Sequence, residues 1–150
     1  MPFTGVFSNP VLISALITWT LAQIIKLPVE YLRHKTWDWA LLFRAGGMPS
    51  SHSGLVAACA HATGLFYGFD TPIFALAGVV AMVVIYDATG IRRQAGKHAA
   101  IINAMILDLA HGHPLREEQL REVLGHTPLE ALGGTIFGVV IAQLMWLIMR

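Results

Sequence analysis

The sequence is poor in charge, and this scarcity argues against an ordinary soluble fold. Only 13% of its 150 residues are Asp, Glu, Lys or Arg, whereas soluble domains carry about 25%. The single cysteine, Cys59, excludes an internal disulfide. The first ten residues lack the basic stretch of a secretory signal, and no basic run indicates a nucleic-acid partner. We expect one membrane-embedded domain, residues 1–150.

What the sequence does contain is long uncharged runs, which predict membrane-spanning helices. They cover residues 7–25, 53–69, 71–86 and 129–149, and about 20 apolar residues suffice for one crossing. The second and third runs are short, so we expect them to be tilted or packed inside a bundle. Residues 97–111 show helical spacing with polar interruptions, and residues 114–124 are typical of a solvated surface helix. The predicted fold is an all-α polytopic membrane helix bundle, with about four spans plus one amphipathic or partly buried helix.

The charged residues are predicted to gather on one side of the membrane. The link between the second and third runs, around Phe69 and Asp70, is short enough to make them an antiparallel hairpin. Segments 26–52 and 87–128 then share one side and carry nine of the ten Lys and Arg residues. By the positive-inside bias that side is cytoplasmic, in a multi-pass protein of the cell membrane.

A phosphate-binding motif is predicted at residues 46–53, Gly-Gly-Met-Pro-Ser-Ser-His-Ser. The glycines let the backbone approach an anion, and a serine can cap the helix that follows. The N-terminus of that helix presents free N–H groups to the anion, which Ser50 and Ser51 can also bind. His52 can donate a proton to a leaving oxygen. The alternative is a Gly-Pro turn with a serine cap and an interfacial histidine.

Two further basic groups are candidates for the same site. Arg92, Arg93, Lys97 and His98 follow the third span closely, and guanidinium groups match phosphate oxygens with paired donors. Asp87 needs a partner at a membrane edge, and Arg92 or Arg93 is the candidate. Lys26 and Arg33 form a third group, separated by six residues. Alternatively, both groups are basic flanks of membrane spans.

Taken together, the three groups resemble the signature of the phosphatidic acid phosphatase type 2 and vanadium haloperoxidase superfamily. That signature runs Lys-x6-Arg-Pro, Pro-Ser-Gly-His and Ser-Arg-x5-His-x3-Asp. The chain contains, in the same order, Lys26-x6-Arg33, Pro49-Ser50-Ser51-His52 and Arg92-x5-His98. The sequences of these motifs look most like those of the small, divergent branch of the superfamily, and the resemblance extends from the first span to the last.

The resemblance implies an integral membrane phosphatase that hydrolyses a lipid phosphate or pyrophosphate, such as phosphatidate, phosphatidylglycerophosphate or a prenyl pyrophosphate. It implies no cofactor and a membrane lipid as the partner. His98 would attack phosphorus and His52 would protonate the leaving alcohol. The phosphate oxygens would be held by Lys26, Arg33, Ser50, Ser51, Arg92 and Arg93.

The chain departs from the signature at four positions, one of which is Ser51 in place of the glycine. His34 replaces the proline, Ile91 replaces the serine, and Ile102 stands where an aspartate would orient the nucleophile. We expect Asp87 to supply that carboxylate, with Asp108 and Glu130 as alternatives. If His98 is not the nucleophile, His52 is the candidate. His126 and Glu130 are interpreted as a cap before the last helix, or alternatively as groups that close over the site.

Two other functions stay open at this point. Asp87, Asp108 and Glu130 could bind Mg²⁺ in a metal-dependent membrane phosphotransferase, since Mg²⁺ prefers oxygen ligands. The chain could instead be a non-catalytic module that binds or transports lipid phosphates. Gly133, Gly134 and Gly138 allow close helix packing, so a homo-oligomer is a further hypothesis.

Overall fold

The structure is a computed structural model that describes residues 3–37, 39–42, 46–110 and 126–150. Every regular element within these ranges is helical, so the predicted all-α class is confirmed. The side chains of Arg92, Arg93 and Asp108 lie outside the described part, as does the surface helix predicted at residues 114–124. Besides two short 3₁₀ turns, the elements are α1 (Pro10–His34), α2 (Ser51–Tyr67), α3 (Pro72–Thr89), α4 (Ile91–Ala110) and α5 (Pro128–Met149).

Helix α1 begins where the sequence predicts a first span but extends beyond it. The side chain of Asn9 accepts hydrogen bonds from the backbone N–H groups of Val11 and Leu12, which caps the start. The helix then continues past residue 25 to His34, so the predicted end of this element is wrong. Charged residues mark the edge of an apolar span, but Lys, Glu and Arg are good helix formers and do not end a helix.

Three segments of the described chain are long and apolar enough to cross a membrane: Pro10–Arg33, Pro72–Leu107 and Pro128–Met149. Helix α2 has only 17 residues, about 26 Å at 1.5 Å per residue. It occupies the centre of the bundle, in contact with α1, α3 and α5. The four predicted spans therefore correspond to three long apolar segments and one short central helix.

Helices α2 and α5 run side by side at very close range. A Cβ atom on Gly134 would overlap the carbonyl oxygen of Ser50, and one on Gly138 would overlap that of Gly54. Farther along, His61 and Gln143 are joined by a hydrogen bond of 3.2 Å. The residue numbers of these contacts increase together along α2 and α5, so the two helices are parallel. The close packing predicted for these α5 glycines is thus satisfied inside the chain.

The hairpin between the second and third spans is present as α2 and α3, joined through residues 68–71. Helix α4 begins immediately after Gly90, so residues 87–89 end α3 and residues 91–98 begin α4. The predicted amphipathic helix is confirmed as α4, whose Ala99 and Asn103 are buried while its other side is exposed. Hydrogen bonds between helices bring the start of α2, the end of α3 and the start of α5 to one end of the bundle.

The outer surface of the bundle is apolar. Helix α3 exposes a series of large hydrophobic side chains along most of its length, as does α5. In water such a surface would favour aggregation, whereas in a bilayer it contacts lipid without penalty. The exposed residues of α3 include Ile73, Leu76, Val79, Val80, Met82, Val83 and Tyr86.

Candidate functional site

The N-terminus of α2 forms the floor of the candidate site. Ser50 is the N-cap, and its hydroxyl accepts hydrogen bonds from the backbone N–H and the hydroxyl of Ser53, at 3.3 and 3.0 Å. The preceding turn uses positive φ angles at Gly46 and Gly47, 114° and 79°, which glycine tolerates best. Ser50 and Ser51 are fully buried. The predicted cap is confirmed, and the positive end of the α2 dipole faces this end of the bundle.

Lys26 is buried against this N-terminus. It lies on α1 with 1% of its surface exposed, and its ammonium donates hydrogen bonds to Gln23 Oε1 and, at 3.2 Å, to Ser51 Oγ. Both of these partners are neutral. Gln23 is itself held in place, because its Nε2 donates to the carbonyl oxygen of Leu42 at 2.8 Å. The Gln23 amide thus holds the buried Lys26 ammonium next to the start of α2.

Arg33 stands at the outer edge of the same end. It is seven positions after Lys26 along α1, which is about two turns and therefore the same helix face. Its Nη2 lies 3.6 Å from the sulfur of Met48, in the turn before α2. The side chain is exposed, and its charge acts electrostatically on Glu130. Lys26 and Arg33, the two cations of the Lys-x6-Arg spacing, therefore lie near the same end of the bundle.

A histidine just before α5 and a carboxylate in its first turn lie at the same end of the bundle. Nδ1 of His126 lies 3.2 Å from Oε2 of Glu130, and their side chains are 3% and 15% exposed. The ring of His126 has its centre 6.3 Å from that of His52. Backbone hydrogen bonds fix this arrangement: Ser50 N–H donates to the Glu130 carbonyl at 3.0 Å, and His126 N–H donates to that of Ala88 at 2.9 Å.

The structure thus brings together part of the predicted site. Lys26, Ser50, Ser51 and His52 lie at the same end, with Arg33 at the rim. Asp87 is half-buried on α3, next in sequence to Ala88, which receives the hydrogen bond from His126. The predicted role of Asp87 as the orienting carboxylate stays a prediction.

His98 is placed differently. It is exposed on α4 and borders an open surface groove. Among the helices described here, α4 packs only against α3. The structure therefore does not bring His98 next to His52, and the guanidinium groups predicted to bind phosphate beside it, those of Arg92 and Arg93, lie outside the described side chains. The other residues bordering the groove are Tyr86, Gly90, Gln94 and Ala95.

A magnesium site was predicted as an alternative at Asp87, Asp108 and Glu130. Among the side chains that the structure describes, no group of three or more His, Cys, Asp or Glu residues is arranged to hold a metal ion. Asp108 is not among those side chains, so the magnesium hypothesis stays a prediction.

Sequence reasoning missed one residue of the cluster and undervalued two others. Gln23 holds the Lys26 ammonium, and its only signal was an amide inside an otherwise apolar run. His126 and Glu130 were interpreted mainly as a cap. Their signal was the cap pattern Thr127-Pro128-x-Glu130, which sets His126 directly before the N-cap and a carboxylate in the first turn of α5.

Comparison with known proteins gives the family. A family model described as the divergent PAP2 family matches residues 7–141. The chain belongs to the divergent PAP2 family. A relative in Bacillus subtilis (strain 168), the uncharacterized membrane protein YuiD, is 34% identical over 149 residues, which covers 92% of this chain and 94% of the relative. No solved structure matches.

Membership in the divergent PAP2 family fits the helical fold and the apolar outer surface. The family and the relative support a phosphatase-related membrane protein. The residues that carry the resemblance are also those that the fold groups best, namely Lys26, Ser50, Ser51 and His52. The divergence is concentrated around Arg92-x5-His98, the segment that the structure places on α4.

Proposed function

We propose that the protein is an integral membrane phosphatase that hydrolyses a lipid phosphate or pyrophosphate at the end of the bundle where α2 begins. The observation that carries this proposal is the buried ammonium of Lys26, whose described hydrogen-bond partners are neutral. Burying a charge costs several kcal/mol unless an opposite charge compensates it. Glu130 attracts the ammonium electrostatically, and a phosphate group beside Ser51 supplies an opposite charge within hydrogen-bonding distance.

The rest of the cluster suits the same ligand. The first N–H groups of α2 and the serine hydroxyls can donate to phosphate oxygens, and Arg33 can reach the ligand from the rim. His52, half-buried in the first turn of α2, is proposed as the acid that protonates the leaving oxygen. Arg92 and Arg93 are proposed as further phosphate ligands, and Asp87 as a carboxylate that orients a histidine.

The apolar surface favours a substrate with a hydrocarbon tail. The tail of a phosphatidate, phosphatidylglycerophosphate or prenyl pyrophosphate can stay in the bilayer beside α3 or α5 while its headgroup enters the polar end. We place the protein in the cell membrane with this end on the cytoplasmic side, in line with the positive-inside bias.

Purified protein in detergent micelles tests the proposal. Phosphatidic acid, phosphatidylglycerophosphate and farnesyl pyrophosphate are supplied in turn, and released phosphate is measured. We expect turnover of at least one of them, and a loss of about 10²-fold or more in His52→Asn. The exposed Lys35→Met variant serves as the control with unchanged turnover. An absence of phosphate release from folded protein across the panel would refute the proposal.

One observation favours a second candidate, a non-catalytic lipid-phosphate binding or transport module. His98, the nucleophile implied by the family signature, is not beside His52 in the structure. Equilibrium binding of phosphatidic acid in nanodiscs separates the candidates. A binder keeps its affinity in His52→Asn and releases no phosphate, whereas the phosphatase keeps affinity but loses turnover.

A further inference from the structure

We infer that His126, oriented by Glu130, is the nucleophile that works opposite His52. The inference rests on the proposed phosphatase function and identifies the group that attacks phosphorus. It differs from the assignment implied by the family signature, which places the nucleophile at His98.

The first argument is the state of the His126 ring. Its Nδ1 faces the Glu130 carboxylate at 3.2 Å, and a carboxylate accepts a proton donor, so the N–H is on Nδ1. The lone pair is then on Nε2, because a neutral imidazole carries one N–H and one acceptor nitrogen. Nε2 is buried and has no hydrogen-bond partner among the described residues. Buried polar atoms normally have partners, so this nitrogen is expected to have a function.

The second argument is the distance to His52. The two ring centres are 6.3 Å apart, and the rings are tilted by 52°. In-line displacement needs the nucleophile about 3–3.5 Å from phosphorus. The acid must also lie within about 3 Å of the leaving oxygen on the far side. These distances and one P–O bond add to about 8 Å between the two reacting nitrogens, which is more than rings with centres 6.3 Å apart leave between nitrogens that face each other. The phosphoryl group must therefore bind beside the line that joins the rings, where the Lys26 ammonium next to Ser51 is available for its oxygens.

The third argument is that a capping role does not explain His126. Glu130 and Thr127 form a capping box, in which each side chain accepts the other's backbone N–H. That box needs only Thr127 and Glu130. It gives no reason to bury an imidazole at 3% exposure beside a second imidazole, nor to tie its backbone to Ala88.

The chemistry balances with the groups present. Nε2 of His126 attacks phosphorus, and the N–P bond forms as the bond from phosphorus to the ester oxygen breaks. The leaving oxygen takes a proton from protonated His52 and departs as the alcohol. Water then attacks phosphorus, the N–P bond breaks, and His52 takes the proton from that water. Inorganic phosphate leaves, and both histidines return to their starting states.

The test uses phosphatidic acid labelled with radioactive phosphorus, mixed with the full-length protein in micelles and quenched with alkali. Phosphohistidine survives alkali and is lost in acid, so labelled protein reports the intermediate. We expect label on wild type and a peptide containing residue 126. His126→Asn keeps a donor near Glu130 but removes Nε2, and it should lose the label and about 10²-fold or more of the turnover. His61→Asn, in the middle of the bundle, is the histidine control that keeps both.

Orthovanadate provides a readout that does not need turnover, since it adopts the five-coordinate geometry of phosphoryl transfer. Vanadate binding that is lost in His126→Asn but kept in His61→Asn supports the inference, and the thermal unfolding midpoint of each variant checks its folding. Turnover that survives in His126→Asn but disappears in His98→Asn overturns the inference and leaves the phosphatase standing. If wild type neither turns over any substrate of the panel nor binds vanadate, both proposals fail.

Discussion

The ammonium of Lys26 donates a hydrogen bond of 3.2 Å to the hydroxyl of Ser51 and so connects α1 to the first turn of α2. The charge is buried at 1% exposure, and its two hydrogen-bond acceptors in the described structure are uncharged. Glu130 attracts this ammonium electrostatically, but the groups that accept its hydrogen bonds carry no charge, so the arrangement contributes little to stability and is well suited to binding an anion. Lys26 is therefore expected to matter more for binding and turnover than for the stability of the fold.

The first prediction concerns the different effects of Lys26 on stability and on turnover. Lys26→Met should leave the midpoint of thermal unfolding in detergent unchanged or higher, because an apolar side chain of similar length removes the desolvation penalty. Turnover of the lipid-phosphate substrate should fall by about 10²-fold or more, since a buried cation stabilises the transition state strongly. Lys35→Met, at an exposed position, is the matched control. A fall in stability with normal turnover would show that Lys26 is structural.

The sequence predicted those parts of the site that depend on interactions between neighbouring residues of the chain. The motif at residues 46–53 predicted the helix start, the serine cap and the position of His52, because turn residues and caps act over a few neighbouring residues. The prediction that Lys26 and Ser51 lie on the same side of the membrane followed from the hairpin of the second and third spans. Gln23 was not predicted, because its role depends on the distant backbone of Leu42, which a sequence pattern does not indicate.

Two further features depend on information that is not local to one motif. The helix was expected to stop where the charge begins, yet α1 continues to His34, since hydrophobicity records the membrane edge and not the helix end. The spacing Arg92-x5-His98 was expected to bring His98 to the site. Spacing fixes positions along one segment, whereas the direction in which α4 leaves α3 is set at Gly90 by backbone angles that the sequence does not state.

The second prediction concerns the glycines of α5. Gly134→Ala should destabilise the protein by about 1–3 kcal/mol, because the new methyl group would overlap the Ser50 carbonyl and push α5 from α2. Gly78→Ala is the matched control: it also lies in a helix, but nothing lies within 4 Å of its added Cβ. It should be neutral or stabilising by up to about 1 kcal/mol.

Unfolding midpoints in one detergent measure both glycine variants. Because Gly134 faces the N-cap of α2, Gly134→Ala should also reduce turnover in the molecules that remain folded. Equal effects of the two substitutions would contradict the close parallel packing of α2 and α5. Since Gly134 and Gly138 are used inside the chain, they offer no surface for self-association, and the predicted homo-oligomer lacks their support.

The third prediction concerns metal dependence. Turnover should be unaffected by EDTA if a histidine is the nucleophile and cations of the chain hold the phosphate. The magnesium hypothesis expects EDTA to abolish turnover and Mg²⁺ to restore it. Asp108→Asn sharpens the comparison, because it removes a proposed ligand of the metal that the mechanism through His126, Glu130 and His52 does not use. Loss of turnover in both experiments would replace the histidine mechanism with the metal-dependent one.

The fourth prediction separates the two roles of Glu130, which is a positioning residue for His126 and a member of the cap. Thr127→Ala removes the cap hydroxyl at 3.3 Å from Glu130 N and should cost about 0.5–2 kcal/mol in stability. Glu130→Gln keeps an acceptor for the Thr127 N–H and loses the charge opposite His126. It should therefore lower kcat with little change in KM or in the unfolding midpoint.

Glu130→Asp tests the same point by partial rescue, since it restores the charge on a shorter side chain. The level of alkali-stable phosphoprotein should follow kcat through the series from Glu to Asp to Gln. A cap without a catalytic connection predicts a different order: Thr127→Ala and Glu130→Gln would both change the unfolding midpoint and would leave kcat alone. The carboxylate of Glu130 is thus assigned to catalysis only if kcat and stability respond to different substitutions.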